Sequence, residues 1–206
     1  VGDITINLTA DAAYTVSGSI EASAGLVING NNATIDASAL ASAMILMSAT
    51  PSVEANEAGF YPINDVVIKD VKVTGLTQQL FYANKVKYLM NNLLCENSII
   101  QVNGGNKTVF DFNGGGVVAK LDISKSTIYA NPKHEGALYS SQSGNKATEA
   151  GLEKQTISII NSTLYNIACG KNVNNHRQAN QTWLEYIVKD NIVLDCGKKG
   201  QFVKGL

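Results

Sequence analysis

Five times in this chain an apolar residue is followed by two or three small, amide or charged residues and then by a β-branched or apolar run. The copies are Ile68-Lys69-Asp70-Val71-Lys72-Val73, Leu94-Cys95-Glu96-Asn97-Ser98-Ile99, Ile123-Ser124-Lys125-Ser126-Thr127-Ile128, Ile159-Ile160-Asn161-Ser162-Thr163-Leu164 and Val188-Lys189-Asp190-Asn191-Ile192-Val193. Their first residues lie 26, 29, 36 and 29 positions apart, a spacing that fits one turn of a stacked coil rather than a helix pair. The first and sixth positions are apolar. Two residues before the first stands Val66, Leu121 or Ile157, with Asn92 and Tyr186 fitting less cleanly. Alternation of this kind sends one row of side chains inward along a strand.

The fourth position holds Asn97, Ser126, Ser162 and Asn191, with Val71 the exception. Asn and Ser tolerate unusual backbone angles and bond neighbouring main chain, so this column predicts a corner with a stacked hydrogen-bond ladder. A second apolar patch begins 12, 16, 15 and 14 residues after the motif starts, at Leu80-Phe81, Phe110-Asp111-Phe112, Leu138-Tyr139 and Phe202-Val203. Each repeat is therefore strand, corner, strand, loop, strand. Gly25 to Ile35 makes a looser first rung with Met44-Ile45-Leu46 as its second strand, and a loop from Ser48 to Asn64, containing Pro51 and Pro62, lengthens the step to Ile68. No stretch of ten or more residues combines helical periodicity with caps. The fold expected is all-β: a single-stranded, right-handed parallel β-helix of about six rungs. It forms one domain over 1–206, with a cap region at 1–24, rungs at 25–206 and an incomplete C-terminal rung. A β-sandwich is the main rival, but its antiparallel strands would not place one Asn/Ser column at the same point of every repeat.

Composition narrows the function. Only 16% of the 206 residues are charged, the formal net charge is -1 and Arg177 is the single arginine, so the basic field of a nucleic-acid-binding protein is absent. The longest apolar stretch, Ala39 to Met47 with Ser42 inside it, is far shorter than the ~20 residues of a spanning helix. Cys95, Cys169 and Cys196 are odd in number and fall in three different columns, which predicts free, mutually distant thiols rather than a disulfide framework or metal spacing. The opening Val-Gly-Asp carries neither an initiator Met nor a leader, so the chain reads as a processed or excised piece of a longer product.

The segments Ile159 to Asn166 and Ile28 to Ile35, which carry the pattern most clearly, resemble the pectate-lyase-like right-handed β-helix superfamily. More narrowly, the chain resembles an uncharacterised branch found in bacterial secreted or surface lipoproteins associated with glycan uptake. The resemblance covers Gly25 to Leu206. It implies an extracellular or outer-membrane-surface location and a polysaccharide partner. The superfamily's lyases hold calcium with clustered carboxylates beside a basic residue, and its hydrolases use several Asp residues as acid and base. Here the column before the motif reads Val67, Leu93, Asp122, Ser158 and Ile187, and the second motif position reads Lys69, Cys95, Ser124, Ile160 and Lys189. Neither holds a calcium or an acid/base pair. The hydrolase motifs Asn-Thr-Asp, Asp-Asp, Gly-His-Gly and Arg-Ile-Lys are absent.

The third motif position, Asp70, Glu96, Lys125, Asn161 and Asp190, reads as a charged corner in water. His134 and His176 read as exposed loop residues, and Gly114-Gly115-Gly116 as a tight turn rather than a phosphate loop. The five sequons, at Asn7, Asn32, Asn106, Asn161 and Asn180, are expected by chance in a chain so rich in Asn and Thr. Two places suit a sugar. Phe81, Asp111 and Tyr139, each next to an inward residue, are expected to point outward as an aromatic-acid-aromatic stripe. The insertion from Asn172 to Trp183 gathers His176, Arg177 and the only Trp among many amides. The expectation is therefore a non-catalytic, extracellular or cell-surface module that binds polysaccharide without cofactor or metal. A pectate-type lyase and a purely structural spacer are the alternatives.

Overall fold

The computed structural model describes residues 2–141, 146–176 and 184–203. The described residues wind through seven coils. The first holds β1 (Ile4–Asn7), β2 (Ala13–Thr15) and β3 (Ile20–Glu21), and the second β4 (Leu26–Asn29), β5 (Thr34–Asp36) and β6 (Ile45–Met47). A short strand, β7 (Tyr61–Ile63), precedes the third coil of β8 (Val66–Lys69), β9 (Lys72–Leu76) and β10 (Phe81–Asn84). The fourth holds β11 (Tyr88–Glu96), β12 (Ile99–Val102) and β13 (Phe110–Gly114), and the fifth β14 (Val117–Ser124), β15 (Thr127–Ala130) and β16 (Tyr139–Ser141). After a one-turn helix, α1 (Lys146–Glu149), come β17 (Gln155–Ile160), β18 (Thr163–Tyr165) and β19 (Asn174–His176). The seventh coil holds β20 (Leu184–Lys189) and β21 (Ile192–Leu194), and Val203 bridges to Asn174 in parallel.

First, second and third strands of successive coils stack into three sheets, called A, B and C here, and every strand pairing is parallel. The chain is a parallel β-helix. Residues expected as an N-terminal cap supply β1, β2 and β3, which pair with the second coil and so add one turn to the six expected.

One inward row runs through sheet A as Ile6, Ile28, Ile68, Cys95, Ile123, Ile159 and Val188. The fourth member corrects the sequence reading: Cys95, not Leu94, pairs with Ile68, so the repeat begins one residue later there. A one-residue slip exchanges the faces of a strand, and the corrected phase puts Leu93 two places before it, fully buried, where the earlier phase required Asn92. Sheet B contributes Tyr14, Ile35, Val73, Ile100, Ile128, Leu164 and Val193, and sheet C contributes Ile20, Ile45, Phe81, Phe110, Tyr139 and Asn174. Ile28 through Ile159 are at most 1% exposed, and each such side chain contributes roughly 1.5–3 kcal/mol by leaving water. Val188, expected to be buried, is 44% exposed because no strand among the described residues stacks beyond it.

The corner between sheets A and B carries the expected ladder, one residue later in the fourth coil. Asp70, Asn97, Lys125, Asn161 and Asp190 all take left-handed backbone angles, with φ between 47° and 56°, and turn the chain. The next residue of each coil points inward. Val71 N–H donates to Ser98 Oγ (3.3 Å), Ser98 N–H to Ser126 Oγ (3.1 Å), Ser126 N–H to Ser162 Oγ (3.1 Å) and Ser162 N–H to Asn191 Oδ1 (2.8 Å). Each hydroxyl then donates to the carbonyl two residues back in its own coil, at 2.8–2.9 Å. The ladder satisfies backbone groups that the bend removes from sheet pairing.

The return from sheet C to sheet A is as tight as Gly114-Gly115-Gly116 suggested. A Cβ on Gly114 would stand 2.5 Å from the Ala83 carbonyl oxygen, and one on Gly116 2.8 Å from the Ala83 Cβ, so only glycine lets the fourth coil lie against the third. The Ser48–Asn64 insertion instead leaves the stack and re-enters through β7. Pro62 is tolerated there because β7 lies off the main path and pairs with β11. Phe60 packs with Val117, Ala147 and Ala150 as a second small core, and Asn56 Nδ2 bonds the Ala150 carbonyl at 3.2 Å.

Two substitutions test this account. Ser126→Ala strips the partner from the buried Ser98 N–H, while the Ser124 carbonyl keeps the Asn97 N–H, and is expected to destabilise by about 1–3 kcal/mol in urea unfolding. Lys125→Gln beside it removes only an exposed ion pair and should leave the midpoint unchanged. Gly114→Ala should destabilise by a similar ~1–3 kcal/mol through overpacking, whereas Gly18→Ala, with nothing within 4 Å, should be silent.

Candidate functional site

Sheet C corrects the expected sugar stripe. Phe81 pairs with Phe110, and Phe110 with Tyr139, so these three rings form one inward row, and Phe81 and Tyr139 are at most 1% exposed. Phe112 lies among them, its ring 5.1 Å from Phe81 and 5.8 Å from Tyr139 between centroids. The phase was lost at a kink: Leu80 N–H and Phe81 N–H both donate to the Val109 carbonyl, as Leu138 and Tyr139 N–H both do to that of Val173. Two consecutive residues then oppose one and both point inward, the mark of a bulge. Buried rings cannot stack on a sugar.

Of the three, only Asp111 faces outward. Its row across sheet C is Glu21, Leu46, Tyr82, Asp111, Ser140 and Asn175, one residue from each of six coils. Sequence reasoning missed Tyr82, although Phe110-Asp111-Phe112 contained the signal: two inward Phe residues place Asp111 outward and its partner Tyr82 with it.

Asp111 is the chemical centre of this face. It is only 8% exposed, accepts Asn113 N–H at Oδ1 (2.9 Å) and Gln79 Nε2 at Oδ2 (3.3 Å), and lies within the electrostatic reach of Lys107. Burial raises its pKa above the usual carboxylate range, and the two hydrogen bonds and Lys107 only partly offset this. Tyr82 is likewise shifted upward, first by burial and then by the Asp111 charge. Beyond Asp111, Ser140 Oγ lies 3.2 Å from Asn113 Oδ1, and Asn175 Nδ2 donates to Ser140 Oγ at 3.3 Å. A linked set of amides, one hydroxyl and one carboxyl thus lies beside a half-buried phenol ring. Such a surface can accept and donate hydrogen bonds to a hydroxyl-rich ligand and offer it one aromatic face.

The other candidates divide. Arg177 and Trp183 lie outside the described residues, as does the side chain of His176, whose backbone pairs with Ser141. Within the same insertion, Asn172 Nδ2 donates to Gln201 Oε1 at 3.2 Å. At the A–B corner, Asn97 rather than Glu96 follows Asp70, its Nδ2 donating to Asp70 Oδ1 at 2.6 Å. Glu96 pairs with Lys125 at 3.2 Å, both well exposed. This is a solvated charged edge. His134 is not exposed: it is 1% accessible, and its Nε2–H donates to the Lys107 carbonyl at 2.6 Å, while burial holds its pKa below normal. It pins the loop that carries Lys107.

The three cysteines are free, and burial pushes the Cys95 thiol up to about 12. Cys169 and Cys196 are not distant from each other as expected. They line one cleft of about 510 Å³ with Lys133, Val193, Asp195, Gly197 and Gly200. Both thiols are shifted upward, chiefly by burial, which disfavours the nucleophilic thiolate. Among the described residues, no three His, Cys, Asp or Glu side chains group as a metal site, and no helix is long and apolar enough to cross a membrane.

Comparison with known proteins adds one assignment. No curated protein and no solved structure matches the chain. A family model, described as a domain of unknown function, DUF4957, matches residues 5–131, from β1 through β15, a span that includes Tyr82 and Asp111. The chain therefore belongs to the DUF4957 family.

Proposed function

We propose that this chain is a non-catalytic, extracellular or cell-surface module of pectate-lyase-like ancestry that binds polysaccharide on the outer face of sheet C. The observation that carries the reading is the row Tyr82, Asp111, Ser140 and Asn175, flanked by Gln79 and Asn113. Parallel stacking repeats these groups at roughly 4.8 Å per coil. A ligand lying across the coils therefore meets the Tyr82 ring and the Asn175 amide, with the Asp111 carboxyl, 8% exposed, and the Ser140 hydroxyl, 3% exposed, recessed between them. A glycan chain offers hydroxyls at comparable intervals and an apolar sugar face for Tyr82. The framework is rigid because Phe81, Phe110, Phe112 and Tyr139 fill the other side of the same strands. Little ordering entropy is then lost on binding.

Affinity electrophoresis in gels containing plant and host polysaccharides tests the reading. The unmutated chain should be retarded by at least one polymer. Tyr82→Ala should remove stacking of about 1 kcal/mol and weaken retention several-fold, and Asp111→Ala should weaken it at least as much. Phe81→Ala is the contrast: it leaves a core cavity and lowers thermal stability by about 3–5 kcal/mol while the outward row keeps its groups. Retention by no polymer, or release of unsaturated or reducing sugar from the retarding one, would overturn the proposal.

A further inference from the structure

The charge on this same face selects among glycans, an inference that rests on the polysaccharide-binding reading above. Of the six residues in the outward row of sheet C, Glu21 and Asp111 are acids, Leu46, Tyr82, Ser140 and Asn175 are uncharged, and none is a base. The groups bonded to the Asp111 carboxyl, the Gln79 amide and the Asn113 N–H, are neutral donors. Lys107 acts on Asp111 only from a distance: the ion pairs among the described residues join Lys120 to Asp122, Lys125 to Glu96, Lys154 to Glu185 and Lys189 to Asp190. Lys120, Lys154 and Lys189 belong to the sheet A side of the coils, and Lys125 to the A–B corner.

A uronate ring would bring its own carboxylate to this row. Recognition of a carboxylate uses an Arg or Lys, or several converging N–H groups. Here the central group is itself a carboxyl, one N–H of Gln79 is turned onto it and one of Asn175 onto Ser140, so the amides offer single N–H groups and not the converging set that a carboxylate needs. Two like charges in a partly desolvated site repel strongly. A neutral sugar brings hydroxyls instead, and a hydroxyl donates to Asp111 and accepts from an amide without a charge conflict. We infer that the sheet C face takes neutral polysaccharides and excludes polyuronates, Asp111 and Glu21 being the residues that set this preference.

The test compares polymers that differ in charge and little else. Homogalacturonan is presented to the purified chain in its methyl-esterified and its de-esterified form at pH 7 and low salt. Neutral galactan, xylan and mixed-linkage glucan extend the panel on one side and alginate on the other. The expected result is retention by at least one neutral polymer and at least ten-fold weaker binding of every polyuronate. Asp111→Asn, checked as folded by circular dichroism, should narrow that difference several-fold, and Glu21→Gln, at the exposed end of the row, should narrow it less. Binding of a polyuronate as tight as or tighter than every neutral polymer would overturn the inference while leaving the carbohydrate reading intact. Binding of no polymer would overturn the reading and the inference together. The comparison on the unmutated chain decides the matter even if Asp111→Asn does not fold.

Discussion

Everything in this molecule depends on one turn of backbone made the same way in coil after coil. Stacking at roughly 4.8 Å leaves no room for a coil whose corner bends differently from its neighbours. At the A–B corner a residue in the left-handed region turns the chain from one sheet into the next, and the next side chain must repair the hydrogen bonding. Ser98, Ser126 and Ser162 do this by accepting an N–H from the coil before and donating within their own coil. The residues that take the left-handed angle are Asp, Asn or Lys. Asn and Asp tolerate it best among non-glycine residues, and Lys125 shows that the ladder holds the angle even where the residue itself does not favour it.

That corner was also the part most legible in the sequence, because it demands particular chemistry and not merely apolarity. Where only apolarity was demanded, phase was lost. Leu94 and Cys95 are both acceptable in a core, and the row alone does not say which is inward; the corner residue Asn97, with its left-handed angle, decides for Cys95. Leu80-Phe81 and Leu138-Tyr139 were misread for a second reason. The shared carbonyls of Val109 and Val173 turn two consecutive residues inward, and strict alternation cannot express that. His134 looked exposed because its loop is polar. Its burial comes from a long-range bond to the Lys107 carbonyl, which local pattern does not contain.

The candidate site follows from this error and its repair. Once Phe81, Phe110 and Tyr139 go inside, Tyr82, Asp111 and Ser140 must face out, since a strand has only two faces. Asp111 was already a candidate from its residue type, and the structure kept it while exchanging both of its aromatic neighbours for Tyr82. Its raised pKa has the same origin as the row: neighbouring coils crowd it from both sides, so water reaches it poorly.

The interior is not uniform along the axis, and this sets where a site can stand firmly. From the second to the fifth coil the inward rows are almost wholly aliphatic or aromatic. In the last two, Gln155, Asn174 and Tyr186 enter the core. Gln155 Oε1, both amide atoms of Asn174 and the Tyr186 hydroxyl have no hydrogen-bond partner among the described residues. An unpaired buried polar atom costs free energy that apolar packing there has to offset. Outside them, Val188, Ile192, Val193 and Leu194 are 38–59% exposed. In a solenoid each coil is held mainly by its neighbours, so coils whose interior carries unpaired polar atoms are held less firmly than those with an apolar core. Tyr82 and Asp111 stand in the third and fourth coils, with a filled core behind them and complete coils on both sides, where the strands that aim them have the least freedom to shift.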